Sequence, residues 1–137
     1  MKFIIYDYLP AEAKLIREEV FCAEQGFINE FDETDNISSH LVAFENGVPV
    51  ATCRIYPNEN GYCIGRIAVI KAYRGKKIGA QIIEEAENYI RGQGGKQVSL
   101  SAQTRVEEFY RKQGYSSFGA VYLDEDCPHI KMIKKLN

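Results

Sequence analysis

Between Ile64 and Ile90 the spacing of apolar residues changes period. Ile64–Ile70 is a near-continuous apolar run, as in a buried strand, and Tyr73–Gly79 is a basic turn punctuated by Gly75 and Gly79. Beyond it Ile82, Ile83, Ala86, Tyr89 and Ile90 recur on one stripe of a 3.6-residue period, which predicts an amphipathic helix. Gly92 and Gly94-Gly95 stop that helix, and Gln97–Ser101 reads as another short strand. Strand, helix and strand in succession form a crossover unit, so Tyr62–Ile70 and Gln97–Ser101 should run parallel.

Upstream, Lys2–Tyr8 reads as a first strand. Pro10 suits the first turn of a helix carrying Ala13, Ile16 and Val20 at helical spacing through about Cys22. Gly26–Ser39 holds Glu30, Asp32, Glu33 and Asp35 and reads as a loop or broken helix over a site. His40–Glu45 and Val48–Tyr56 are strands joined by Asn46-Gly47, a strong hairpin signal, and Pro57 is expected to end the second. Asn60-Gly61 then turns into Tyr62–Ile70, completing an antiparallel meander. Downstream, Thr104 and Glu107 have capping-box spacing before Val106, Phe109 and Tyr110, and Gly114 suits the position just past a helix end. Tyr115–Leu123 and His129–Leu136 close the chain as two antiparallel strands. The fold class is therefore α/β (α+β): a mixed, mostly antiparallel sheet with one central parallel strand pair, flanked by helices, in a single domain spanning 1–137.

Composition narrows the function. The 137 residues carry a net charge of −2, which argues against a dedicated nucleic-acid binder and makes the basic cluster at 74–77 a local device. No apolar run approaches the ~18 residues of a membrane span, and Met1-Lys2-Phe3-Ile4-Ile5-Tyr6 lacks the apolar stretch of a signal peptide, so cytoplasmic residence is expected. Cys22, Cys53, Cys63 and Cys127 show no C-x-x-C spacing; Cys53 and Cys63 flank a turn, could face each other, and are expected to stay reduced. Asp32, Asp35, His40 and His129 have no metal-ligand spacing, and no metal is expected. The acidic 30–35 run reads as a solvated face or a cation-attracting rim.

The turn at 73–79 carries the chemistry. A helix N-terminus presents unpaired N–H groups and the positive end of its dipole, glycines let backbone approach a ligand, and Arg74, Lys76 and Lys77 add charge. The reading is a phosphate cradle between a buried strand and a packed helix. Parallel strands tend to hold ligands beyond their carboxyl ends, which groups the cradle with Gln103 and the start of the 104–112 helix.

The run I-A-V-I followed by Y-R-G-K-K-I-G-A, with F-Y-R-K-Q-G-Y after the next strand, resembles the GNAT acetyltransferase superfamily along essentially the whole chain. Its phosphate-loop pattern Q/R-x-x-G-x-G/A maps onto Arg74-Gly75-Lys76-Lys77-Ile78-Gly79, with Lys77 where the first glycine stands. A lysine at positive φ would cost about 1 kcal/mol, so either the loop avoids that conformation or Lys77 pairs with phosphate. Val20-Phe21 with Glu24-Gln25, the spacing E-x-D-x-x-D-x-x-x-x-H-L from Glu30 to Leu41, and Pro128-His129 are similar to the ElaA-like branch.

The resemblance implies an acetyl-CoA-dependent N-acetyltransferase in which a primary amine, of a small molecule or a protein, attacks the thioester directly in a ternary complex. It implies that backbone groups of Ile67, Ala68 and Val69 hold the pantetheine arm as an added strand would. Amides of Arg74, Gly75, Lys76, Lys77, Ile78, Gly79 and Ala80 would hold the pyrophosphate, and Gln103 would reach the pantetheine or serve a turn. Tyr110 is the implied general acid for the departing thiolate; periodicity alone would place it in the core beside Phe109. A lysine-like amine must also lose a proton, at about 4–5 kcal/mol near neutral pH. Glu24 is the first candidate base, ahead of His40 and His129, each of which also fits a structural role. The rival reading is a non-catalytic CoA-binding or sensor domain. Monomer and homodimer both stay open.

Overall fold

The computed structural model describes residues 1–28 and 30–137; Asn29, inside the acidic 26–39 segment, lies outside the described residues. Seven strands form one sheet in the order β1-β2-β3-β4-β5-β7-β6. They are β1 Lys2–Tyr6, β2 Ser39–Glu45, β3 Val48–Asn58, β4 Gly61–Val69, β5 Gln97–Gln103, β6 Ser116–Asp124 and β7 Cys127–Lys135. Every pairing is antiparallel except β4 with β5. Helix α1, Ala11–Arg17, continues as a wider π-helical stretch, Glu18–Glu24; α2 is Ile78–Gly92 and α3 is Glu107–Lys112.

Period-two alternation sorts the strands onto two faces. Leu41 and Ala43 join Ile64, Val98 and Leu100 in a core with Ile78, Ile82, Ile83, Ala86 and Ile90 of α2. Val42 and Ala68 turn the other way and meet Ala13, Ile16, Val20 and Phe21 of the first helix. The sheet is thus sandwiched between α1 on one face and α2 on the other.

Local expectations fail where register or competition intervenes. Pro57 does not end β3, which pairs Pro57 with Tyr62 and runs to Asn58. The pairing with β2 stops at Ile55, so beyond it a residue lacking an N–H removes no bond on that side. The turn between Asn58 and Gly61 sets Cys63 opposite Tyr56 rather than Cys53, and all four cysteines are free thiols. The capping box at Thr104 does not form: Thr104–Val106 is a 3₁₀ turn with no side-chain cap, and Glu107 engages Arg111 at 2.6 Å and the Ser117 hydroxyl instead. Gly114, at φ 98°, does follow directly on Gln113, the C-cap of α3.

The parallel pair positions the site. β5 stays in register with β7 from Gln97 to Gln103, whereas β4 pairs with β5 only at Tyr62–Val98 and Cys63–Ser99. β4 then follows β3, bulging at Arg66, which takes φ 51°. Two strands bound to different partners therefore diverge, and the sheet opens between their carboxyl ends.

Candidate active site

The 3₁₀ turn Lys71–Tyr73 carries the chain from β4 to the glycine turn, and α2 starts at Ile78. Gly75 has φ 79°, a conformation that costs glycine little, and a Cβ at Gly79 would lie 3.2 Å from Phe109 Cζ. Lys77 adopts φ 65°, ψ 15° and precedes the helix without a side-chain cap, so the lysine takes the left-handed geometry the glycine of the pattern would take. Among the described residues, the amides of Gly75–Ala80 have no hydrogen-bond partner; the first to engage is Gln81, bonded to the Lys77 carbonyl at 3.1 Å. Six converging donors at the positive end of a helix suit a pyrophosphate.

Arg74 departs from the expectation. Its amide bonds the Lys71 carbonyl at 3.2 Å, and its guanidinium turns from the cradle to the Val69 carbonyl at 2.9 Å and to both oxygens of Glu24 at 2.6 and 2.7 Å. The cradle is therefore 75–80. Past Cys63 the edge of β4 that bears Ile67, Ala68 and Val69 has no strand pairing toward β5, although the Val69 carbonyl accepts from Arg74. That edge is open to pairing with an extended segment.

Tyr110 lies on α3, 8% exposed, with its ring edge-on to Phe109 and Tyr115 at 5.2 and 6.3 Å between centroids. Burial raises its pKa well above the ordinary 10, with the buried Cys53 thiol adding to the effect and Arg105 opposing it, so the phenol is protonated at neutral pH. Its neighbour Tyr115 is structural: the hydroxyl donates to buried Glu87 at 2.7 Å, which also receives Lys134 at 2.9 Å.

On the other side of the opening lies a polar cavity of about 380 Å³, lined by Glu24, Gln25, Gly26, Phe27, Gln103, Arg105, Glu125 and Cys127. Gln103 braces it, donating to Gln25 at 2.8 Å while its oxygen accepts from Arg105 at 2.8 Å. Glu125, in the β6–β7 turn, closes the wall by accepting from the Ile28 amide at 3.1 Å. Arg105 and Glu125 escaped the sequence reading because exposed charges on turns have no periodicity to mark them.

Glu24 reaches this cavity as expected, but its base role meets a physical objection. The bidentate hydrogen bond from Arg74 holds its carboxyl below the usual range, and an acid with both oxygens engaged is a poor proton acceptor. His40 is buried elsewhere, its Nε2 3.0 Å from the Asp35 carbonyl, and burial lowers its pKa. His129 pairs with Gln103 across β5 and β7, stacks on Tyr122, and its Nδ1 lies 2.8 Å from the Cys127 carbonyl.

The acidic run is only partly a solvated rim: Asp32 and Glu33 are exposed, whereas Glu30 and Asp35 are buried. Arg17, 1% exposed, donates to Glu30 at 2.7 Å and to Asp35 at 2.8 Å. Arg54 bridges Asp32 and Asp35 at 2.6 and 3.0 Å, and Arg66 pairs with Glu30 and Asp32 at 3.0 and 3.3 Å. Three arginines balance three carboxylates, so this cluster anchors the segment leading from the cavity wall and leaves no surplus charge for a ligand. Its one sequence signal was Arg17, a charge on the apolar stripe of the first helix.

An acetyltransferase (GNAT) domain model matches residues 10–136. The chain belongs to the GNAT acetyltransferase family. An uncharacterised N-acetyltransferase of Bacillus subtilis, YjcF, is 35% identical over 127 residues, covering 90% of each chain. The ElaA protein of Escherichia coli is 29% identical over 128 residues, 88% of this chain and 84% of its own. The ElaA crystal structure superposes with a TM-score of 0.87 at 26% identity, over 97% of this chain and 98% of that one. An acyl-CoA N-acyltransferase from Pseudomonas aeruginosa has a TM-score of 0.86 at 29% identity, over 98% and 99%. The family and the ElaA-like branch expected from the motifs are thus shown, and so is the fold.

Proposed function

We propose that the protein transfers an acetyl group from acetyl-CoA to a primary amine bound in the cavity beside Gln103. The observation that carries this reading is the set of unpartnered amides at Gly75–Ala80, at the mouth of the gap between β4 and β5, with buried Tyr110 on the helix that packs against Gly79. Bound there, acetyl-CoA supplies an activated acyl carbon. The amides of 75–80 bind its pyrophosphate, and the free edge of Ile67–Val69 aligns the pantetheine arm.

The acceptor nitrogen forms a bond to the acetyl carbon as the carbon–sulfur bond breaks; the leaving sulfur takes a proton from Tyr110, and the nitrogen releases one to water. Burial keeps Tyr110 protonated at rest and also weakens it as an acid, so the transfer relies on the same buried surroundings raising the basicity of the departing sulfur. Glu24 serves in this scheme by fixing Arg74 over the end of β4, not by taking the acceptor's proton.

Acetyl-CoA should raise the melting temperature, and amine-dependent thiol release should follow. Tyr110→Phe should lower kcat by about 10²–10⁴-fold where chemistry limits the rate, a typical range for a general acid. Wild-type turnover in that variant would remove the acid role, and absence of stabilisation by millimolar acetyl-CoA would remove the transferase reading. A homodimer through β6 is part of the proposal: this edge strand exposes Phe118, Val121, Tyr122 and Leu123, at 62%, 56%, 43% and 66%. Light scattering reads that state directly.

A further inference from the structure

The cavity beside Gln103 has a charge pattern that selects among amines. Glu24 contributes a carboxylate whose two oxygens are both engaged by Arg74, so that pair is neutral. Arg105 has its Nε engaged by Gln103, and among the described residues its two terminal nitrogens have no partner. Glu125 has one oxygen on the Ile28 amide, and among the described residues the other has no partner. What the cavity offers a ligand is therefore one cationic fork and one anionic oxygen on a common wall, with Phe27 and Gly26 beside them.

Both groups are held in place. The chain Gln25–Gln103–Arg105 fixes the guanidinium through two bonds of 2.8 Å, rooted in the last residue of β5. Glu125 and Asp126 take φ 48° and 63° at the tip of the β6–β7 hairpin, where two successive left-handed residues favour Asn-Gly. A glutamate there is strained, and the surrounding contacts keep its carboxylate at the cavity wall. Two charges of opposite sign suit a ligand that carries both, and the guanidinium fork matches a carboxylate. A polyamine or an aminoglycoside would instead meet the like charge of Arg105 and a Glu24 already neutralised.

We infer that the acceptor is an amine bearing its own carboxylate, an amino-acid-like molecule. Arg105 binds the carboxylate, and Glu125 accepts a hydrogen bond from the nitrogen end. This inference rests on the transferase reading and names the class of acceptor for that site.

The test compares thiol release from acetyl-CoA with amino acids, their carboxamides, spermidine and kanamycin. Loss of a charge-assisted hydrogen bond corresponds to about 10–100-fold, so the acids should exceed their carboxamides by that ratio in kcat/KM. Arg105→Gln should lower kcat/KM for the acids to the level of the carboxamides. Glu125→Gly should raise KM for the acids while the hairpin becomes no less stable, because glycine relieves the positive φ. Carboxamides as good as the acids, a preference for spermidine or kanamycin, or turnover of none of them by a protein that acetyl-CoA stabilises would each overturn the inference. Failure of acetyl-CoA to stabilise the wild-type protein would overturn the transferase reading itself, and this inference with it.

Discussion

Two parts of this molecule are rich in arginine or lysine and use them in opposite ways. In the cluster of Arg17, Arg54 and Arg66, each guanidinium meets carboxylates, and Arg17, Arg54, Glu30 and Asp35 are buried. In the turn before α2 the charges are exposed, the amides of 75–80 lack partners, and Lys77 sits in a strained conformation. The first arrangement holds a segment to the sheet; the second leaves donors ready for an anion. Charge type alone does not separate scaffold from site. Whether the charges are paired does: the buried cluster leaves only Arg54 Nε without a partner among the described side chains, while the turn leaves a run of amides open.

That contrast can be broken from either side. The largest effect belongs to Arg17→Ala, which leaves Glu30 and Asp35 buried with a partner missing and should cost about 3–5 kcal/mol, read by urea denaturation. Next comes acid. Burial alone would raise the Asp35 carboxyl, but the bonds and charges of Arg17 and Arg54 outweigh it and lower it from 3.8 to about 2. A folded-state value below the unfolded one gives stability that is complete above about pH 4 and lost as pH falls toward 2. The loss should be on the order of 2 kcal/mol, and Asp35→Asn should remove that part of the pH slope.

Lys77→Gly works in the other direction. It should stabilise the protein by about 1 kcal/mol by relieving the left-handed lysine, and titration with acetyl-CoA then shows whether the lost charge weakens binding. The smallest effect is Glu24→Gln. This partly exposed pair should change stability by less than about 1 kcal/mol. The pH–rate profile should keep its shape, whereas loss of the limb that rises from low pH would return the base role to Glu24.

Much of the fold was legible in the residues. Period two in β2, period 3.6 in α2, Asn46-Gly47 in the first hairpin and the strand–helix–strand order around α2 led to the meander and the parallel pair. All of these are local signals, set by backbone geometry and by which face must leave water. The cradle was legible for the same reason, since Gly75 and Gly79 stand at one helix start in one short turn. What the sequence could not contain was pairing at a distance. That Arg74 turns to Glu24 and that Arg17 reaches Glu30 and Asp35 depends on how segments far apart in the chain pack together. The opening between β4 and β5 has the same origin: β4 keeps to β3, β5 keeps to β7, and the gap exists only because both pairings are made at once. Sequence alone determined the elements and the glycine turn before α2. Tertiary structure decided which charges were neutralised, and so which remained to bind a ligand.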